Sequence, residues 1–239
     1  MGILSSVFEK NEEQLKADAG FSGNKIEESG IYLCKVTMAK QIDSGSSASK
    51  DFALELETEK GAKLFWRAGW YINKASTNVD KNGNLLLGAA ALARTNWLLT
   101  GSEDFPVLSA ATIKEYDWDT KADISVERQV CRDLVGKFVK VQVVRKRTNK
   151  QVKSGKKTTD GWDEYIDGPE EKFTNEVKRF YDASTDQTFG EKQQSKPAEG
   201  ITKDAEYCAA NPVLDKYKAV AAPVTPTAPV APATSGFGS

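Results

Sequence analysis

The segment Lys137-Phe138-Val139-Lys140-Val141-Gln142-Val143-Val144-Arg145-Lys146-Arg147 decides how this chain is read. Val139, Val141 and Val143 alternate with Phe138, Lys140 and Gln142, the two-residue period of a strand with one buried and one open face. The strand feeds a cationic run through Lys150, Lys153, Lys156 and Lys157. Lys137 to Lys157 therefore holds nine Lys/Arg and no acidic residue, in a chain whose net charge is −1. Aromatic residues follow at Trp162, Tyr165, Phe173, Phe180 and Tyr181. Cations neutralise phosphates and release their counterions, while aromatic faces stack on unpaired bases. Together they point to single-stranded nucleic acid.

Upstream, Gly30 opens a first strand at Ile31–Met38, and Gln41–Lys50, with Asp43, Gly45 and four serines, reads as a loop. In a second strand, Asp51–Thr58, Phe52, Leu54 and Leu56 alternate with Ala53, Glu55 and Glu57. A Glu59-Lys60-Gly61-Ala62 connection leads to a third strand, Lys63–Ile72. It would place Leu64, Trp66, Ala68 and Trp70 on one face and Phe65, Arg67, Gly69 and Tyr71 on the other. Phe65, Arg67 and Tyr71 would form an aromatic and cationic stripe.

Asp80-Lys81-Asn82-Gly83-Asn84 provides turn chemistry and an N-cap before a helix over Leu85–Leu99, which Gly101 closes. Residues 102–130 are mixed, with a short helix expected over Val126–Val135. Beyond the basic stretch, Trp162–Ile166 and Thr174–Tyr181 read as two short extended segments separated by a turn at Asp167-Gly168-Pro169-Glu170-Glu171. The order of three strands, a helix and further strands fits a small Greek-key barrel better than a parallel α/β sheet. The organisation expected is an arm over 1–28, with a short amphipathic helix at Val7–Leu15, a domain over 29–190, and a flexible Pro/Ala-rich tail over 191–239.

Composition narrows the chemistry. The chain has 39% hydrophobic and 28% charged residues, and no run of about 18 apolar residues that would span a bilayer. Three well-separated cysteines suggest a reducing compartment, hence the cytoplasm. The absence of histidine removes Ser-His-Asp triads, Cys-His dyads and histidine-containing zinc sites. No Gly-x-x-x-x-Gly-Lys-Ser/Thr loop exists to hold a nucleotide. Asp160 with Glu170-Glu171-Lys172 imitates a metal-dependent nuclease set, but Gly168-Pro169 would put those acids in a turn instead of on a rigid strand.

Gly30-Ile31-Tyr32-Leu33, Ser49–Glu57, the Gly-Lys-Phe-Val-Lys-Val run at 136–141 and Asn175-Glu176-Val177-Lys178-Arg179-Phe180 resemble a group of bacteriophage OB-fold single-stranded DNA-binding proteins. The resemblance spans about residues 28–190. It implies a five-stranded OB barrel with one helix between strands 3 and 4, and a protein that coats single-stranded DNA in phage replication, recombination and repair. No catalysis, metal or cofactor is implied. Such proteins often end in an acidic tail with an aromatic tip that recruits replication enzymes. This chain ends Ser235-Gly236-Phe237-Gly238-Ser239, with no acid after Asp215.

The expected phosphate contacts are Lys140, Arg145, Lys146, Arg147, Lys150, Lys153, Lys156 and Lys157. The stacking candidates are Phe65, Tyr71, Trp162, Tyr165 and Tyr181, assisted by Arg67 and Arg179. The arm or tail would join neighbouring copies along DNA or engage replication and recombination proteins. The alternative reading is a structural or protein-interaction module on an OB-like barrel.

Overall fold

A computed structural model describes residues 25–43, 50–68, 79–117 and 120–220. The expected helix at Val7–Leu15, the end of the third strand with Trp70 and Tyr71, the serine-rich segment 44–49 and Phe237 lie outside the described residues. The chain divides into two compact units. One is the described part of Met1–Lys146 with Thr174–Leu214, and the other is Arg147–Phe173 with the described residues from Asp215 on.

The fold is mainly β and antiparallel, with three α-helices among the described residues. In the larger unit β1 (Gly30–Asp43), β2 (Lys50–Thr58) and β3 (Lys63–Ala68) form a meander. Gly61, at φ 76°, permits the tight β2–β3 turn, and its N–H donates to the Thr58 carbonyl at 2.9 Å. Helix α1 (Leu87–Thr100) follows and ends on Gly101 in the left-handed region, whose N–H donates to the Trp97 carbonyl. The Asp80 carboxylate accepts from the Asn82 and Asn84 N–H groups and so shapes a loop; the helix starts seven residues later, after Leu86, with no side-chain cap.

Residues 102–130 depart from the sequence expectation. They form a β-hairpin, β4 (Ser109–Asp117) and β5 (Ala122–Val130), followed by a single 3₁₀ turn at Arg132–Leu134. Val126, Val130 and Leu134 recur every four residues and so imitate a helical stripe, but Ile124, Val126 and Val130 share one face of a strand.

Strand order is β3-β2-β1-β5-β4, and the first half of β1 also pairs β6 (Phe138–Lys157), from Gly30↔Val143 to Lys35↔Phe138. β1 keeps β2 as a partner on both sides of a register shift between Val36 and Met38, and it also pairs β5 at Lys40↔Val130. The described strands do not close into a five-stranded barrel, because β3 and β4 each have one strand neighbour and β7 (Asp163–Asp182) pairs β6 alone. An edge-to-face contact between Trp66 and Phe180, with ring centroids 4.9 Å apart, links β3 to β7 without a backbone ladder.

The core lies beneath the meander and α1, where Val36, Phe52, Leu54, Leu92, Leu134 and Val141 are fully buried. Fully burying such side chains contributes about 1.5–3 kcal/mol each. Residues 191–220, assigned by composition to a flexible tail, instead carry the end of α2 (Phe189–Gln193), α3 (Glu199–Ala210) and β8 (Leu214–Asp215). A capping box between Thr188 and Glu191 starts α2. Cys208 buries α3 beside Gln142, 3.8 Å away.

In the smaller unit, β6 and β7 continue as one hairpin and turn at Thr158–Trp162. The turn expected at Asp167–Glu171 is absent, since β7 runs straight through Gly168-Pro169. Gly168 makes this path available: a Cβ there would meet the Lys150 carbonyl oxygen at 2.7 Å and Val152 at 2.9 Å. Buried Asn149 pins the chain after β8, donating to the Lys218 carbonyl at 2.7 Å and accepting from the Lys218 N–H at 2.9 Å.

Candidate nucleic-acid interface

The two faces of β3 divide as its alternation dictates. Leu64 and Ala68 are buried, whereas Phe65 is 53% exposed and Arg67 also reaches solvent. Arg67 is held by an ion pair with the buried Asp51 carboxylate of β2, which fixes its guanidinium beside the strand.

An open groove of about 470 Å³ lies between β3, α1, β7 and α2 in the larger unit. Trp66, Phe180 and Phe189 supply aromatic surface to it, and Arg94, Lys178 and Arg179 supply charge. Its lining contains no carboxylate among the described residues. Lys178 pairs with Glu176, and Arg179 with Asp204 at 2.8 Å. Arg94 projects from α1 without a carboxylate partner among the described residues, its guanidinium carbon 5.9 Å from the Phe189 ring centroid. Phe189 in turn meets Trp97 edge-on at 5.2 Å, and the Lys192 ammonium lies 5.3 Å from the Trp97 ring. The groove thus combines ring faces with positive charge, the two groups that an unpaired nucleotide engages.

The basic segment is organised differently from the sequence expectation. Its own residues lack acids, but β7 supplies them from across the hairpin. Arg147 meets Glu171 at 2.7 Å and Asp215 at 3.1 Å, with the Tyr217 ring 4.8 Å from its guanidinium carbon. Lys150 meets Glu170 at 2.7 Å, and Lys153 and Lys157 share Asp163 at 2.7 and 2.6 Å. Lys156 is exposed, with no carboxylate partner among the described residues. Arg147–Phe173 holds six Lys/Arg and six Asp/Glu, so this hairpin carries no excess charge. Such exposed pairs each contribute about 0–1 kcal/mol and exchange partners at small cost, but they mute the field that would attract a phosphate chain.

In the larger unit, Lys140 pairs with Asp186, Lys146 with Glu176, and the Arg145 guanidinium donates to the Ile26 carbonyl, so these cations brace the fold. Tyr181 is fully buried, and its hydroxyl donates to Asp204. Burial, reinforced by Asp204, pushes its phenol well above the ordinary range. The ring cannot stack on a base, which corrects the sequence assignment. Trp162 and Tyr165, at 75% and 55% exposure, do present open faces on the hairpin. Tyr71 lies outside the described residues.

Of the acids in the nuclease-like set, Glu170 is engaged by Lys150 and Glu171 by Arg147. Among the described residues no cluster of three potential metal ligands forms. Sequence reasoning missed Arg94 and Phe189. Arg94 was an interruption in an apolar helix, and Phe189 lay where the composition turns polar; only the packing of α2 on α1 brings them together. No protein-family model matches the chain, and no curated protein sequence matches it.

Proposed function

We propose that this chain is a non-catalytic OB-type protein that binds and coats single-stranded DNA, through the groove of the larger unit and the exposed face of β3. The observation that carries the proposal is the groove itself: three aromatic side chains and three cations with no carboxylate in the described lining. A helix after the third strand and a β1 shared between β2 and β6 support the OB assignment. In OB folds the face of strands 2–3 and the loops after strands 1 and 4 bind oligonucleotides. With β6 and β7 as the fourth and fifth strands, Phe65 and Arg67 stand on that face, and the β6–β7 hairpin is the long loop after strand 4. The choice of DNA over RNA, and the role in phage replication, recombination and repair, rest on the sequence resemblance.

A second reading has one observation in its favour. The charge-balanced hairpin with exposed Trp162 and Tyr165 suits a protein-interaction module. Titration of the full chain with labelled single-stranded DNA, duplex DNA and single-stranded RNA separates the readings. The proposal expects a preference for single strands, with quenching of tryptophan fluorescence, since Trp66 lines the groove. Equal binding of single strands and duplex refutes it and favours the interaction module.

A further inference from the structure

Helix α3 does not line the groove, and Cys208 is its only buried residue. Two of its polar groups nevertheless hold the elements that do. The Asp204 carboxylate accepts from the Arg179 guanidinium at 2.8 Å and from the Tyr181 hydroxyl. Nearer the start of the helix, the Gly200 N–H donates to Glu191 Oε1 at 2.6 Å, while Glu191 Oε2 accepts from the Thr188 N–H at 2.8 Å. α3 thereby ties down α2, which carries Phe189 into the groove. A Cβ at position 200 would stand 3.1 Å from Glu191 Oε1 and 3.2 Å from Thr188 Cγ2, so the starts of the two helices are closely fitted.

We propose that Asp204 is a positioning residue for nucleic-acid binding, a role that rests on the groove reading above: it aims Arg179 so that the free side of the guanidinium meets a phosphate of the bound strand. Arginine presents five N–H donors in one planar fork. Asp204 takes Nη1, and no contact among the described residues occupies Nε or Nη2 of Arg179. The carboxylate is itself fixed, since its side chain is 17% exposed against 50% for Arg179, and Tyr181, which donates to it, is fully buried. Lys178 is held less firmly, because its partner Glu176 is 41% exposed and shared with Lys146. Immobilising a rotamer-rich side chain on binding lowers affinity about two- to tenfold, and Asp204 has already immobilised Arg179 in the free protein. Its negative charge acts the other way and repels the phosphate. A phosphate oxygen on the far side of the guanidinium is more than two hydrogen-bond lengths away, about 6 Å or more. At about 0.3 M salt the screening length falls to about 6 Å, so orientation outweighs repulsion there.

The test is a double-mutant cycle in the full chain, read by anisotropy titration with a labelled single-stranded oligonucleotide at about 0.3 M salt. Asp204→Ala should weaken binding about two- to tenfold, yet leave it unchanged in an Arg179→Ala background, because its effect passes through Arg179. Tightened binding marks Asp204 as a repelling charge, and an equal loss in both backgrounds marks it as a packing residue; either overturns the proposal. Removing the carboxylate alone orphans the buried Tyr181 hydroxyl. The cycle is therefore repeated with Tyr181→Phe/Asp204→Ala, which removes both partners and preserves the fold, and the same outcomes apply. If Arg179→Ala and Arg94→Ala both leave binding intact, the groove reading itself fails and the positioning role with it. If they weaken binding while Asp204→Ala does not, only the positioning role fails.

Discussion

Replacing Arg94 by alanine tests which cations carry nucleic-acid binding. Binding to single strands weakens with salt by about 0.7 in log–log slope for each phosphate neutralised. If the three groove cations make the contacts, the slope is about −2; if all nine cations of Lys137–Lys157 do, it is about −6. Arg147, Lys150, Lys153 and Lys157 each lie within 3.1 Å of a carboxylate, and in the groove Lys178 and Arg179 are paired as well, with Glu176 and Asp204. Arg94 has no such competitor among the described residues, so its loss should reduce the slope by about 0.7. A hydrogen bond to a charged group contributes about 1.5–3 kcal/mol, and in an open groove the low end applies, about tenfold in affinity. The Lys153→Ala/Lys157→Ala double variant should lose less than about threefold at moderate salt. Arg94 is exposed, so the melting temperature should hold within about 2 °C. Fluorescence anisotropy with a labelled oligonucleotide across salt concentrations measures both quantities. An unchanged slope for Arg94→Ala, with a large fall for the lysine double variant, refutes the groove assignment and returns the contacts to the hairpin.

Phe65→Ala should weaken single-strand binding by about 1–3 kcal/mol with little change in thermal stability, since that ring is more than half exposed; matched losses in both would mark it as a packing residue. Tyr181→Phe should cost about 1 kcal/mol of stability in denaturant titration by removing the hydroxyl that Asp204 accepts, and should leave the affinity for single strands unchanged. Gly168→Ala should destabilise the hairpin by about 1–3 kcal/mol, read as faster hydrogen exchange over Asn149–Gly168, because its Cβ would collide with the Lys150 carbonyl oxygen. Hydrogen bonds from Arg128, aided by Lys40 against the opposing effect of burial, hold the Glu115 carboxyl down to about 2. A carboxyl depressed from 4.5 stabilises the fold above that pH and loses its contribution as pH falls toward 2. Glu115→Gln should therefore lower stability by about 2–3 kcal/mol at neutral pH and flatten the fall in melting temperature between pH 5 and 3. A variant profile parallel to that of the parent chain would show that Glu115 is not the group responsible.

Local order was legible in the sequence wherever one face of an element meets the core. The alternation of Phe52, Leu54 and Leu56, the split of β3 into a Leu64/Ala68 face and a Phe65/Arg67 face, and the closure of α1 by Gly101 all follow from side-chain period and backbone conformational freedom. The β4–β5 hairpin was not legible, because Val126, Val130 and Leu134 satisfy a helical spacing as well as their strand, and no local signal separates the two. The Asp167-Gly168-Pro169 segment has every chemical mark of a turn, yet the neighbouring strand passes so close to Gly168 that an extended path is retained. The basic segment shows the divide most clearly. Sequence alone determined that nine cations lie together over Lys137–Lys157 without an acid among them. Only the pairing of β6 with β7 decided that carboxylates stand against most of those that reach solvent, and only the packing of α1, α2, β3 and β7 gathered Arg94, Arg179, Trp66 and Phe189 around one groove. A residue's type and period are properties of the chain, whereas the charge it faces and the ring it meets depend on contacts between segments far apart in sequence, and these exist only once the sheet is formed.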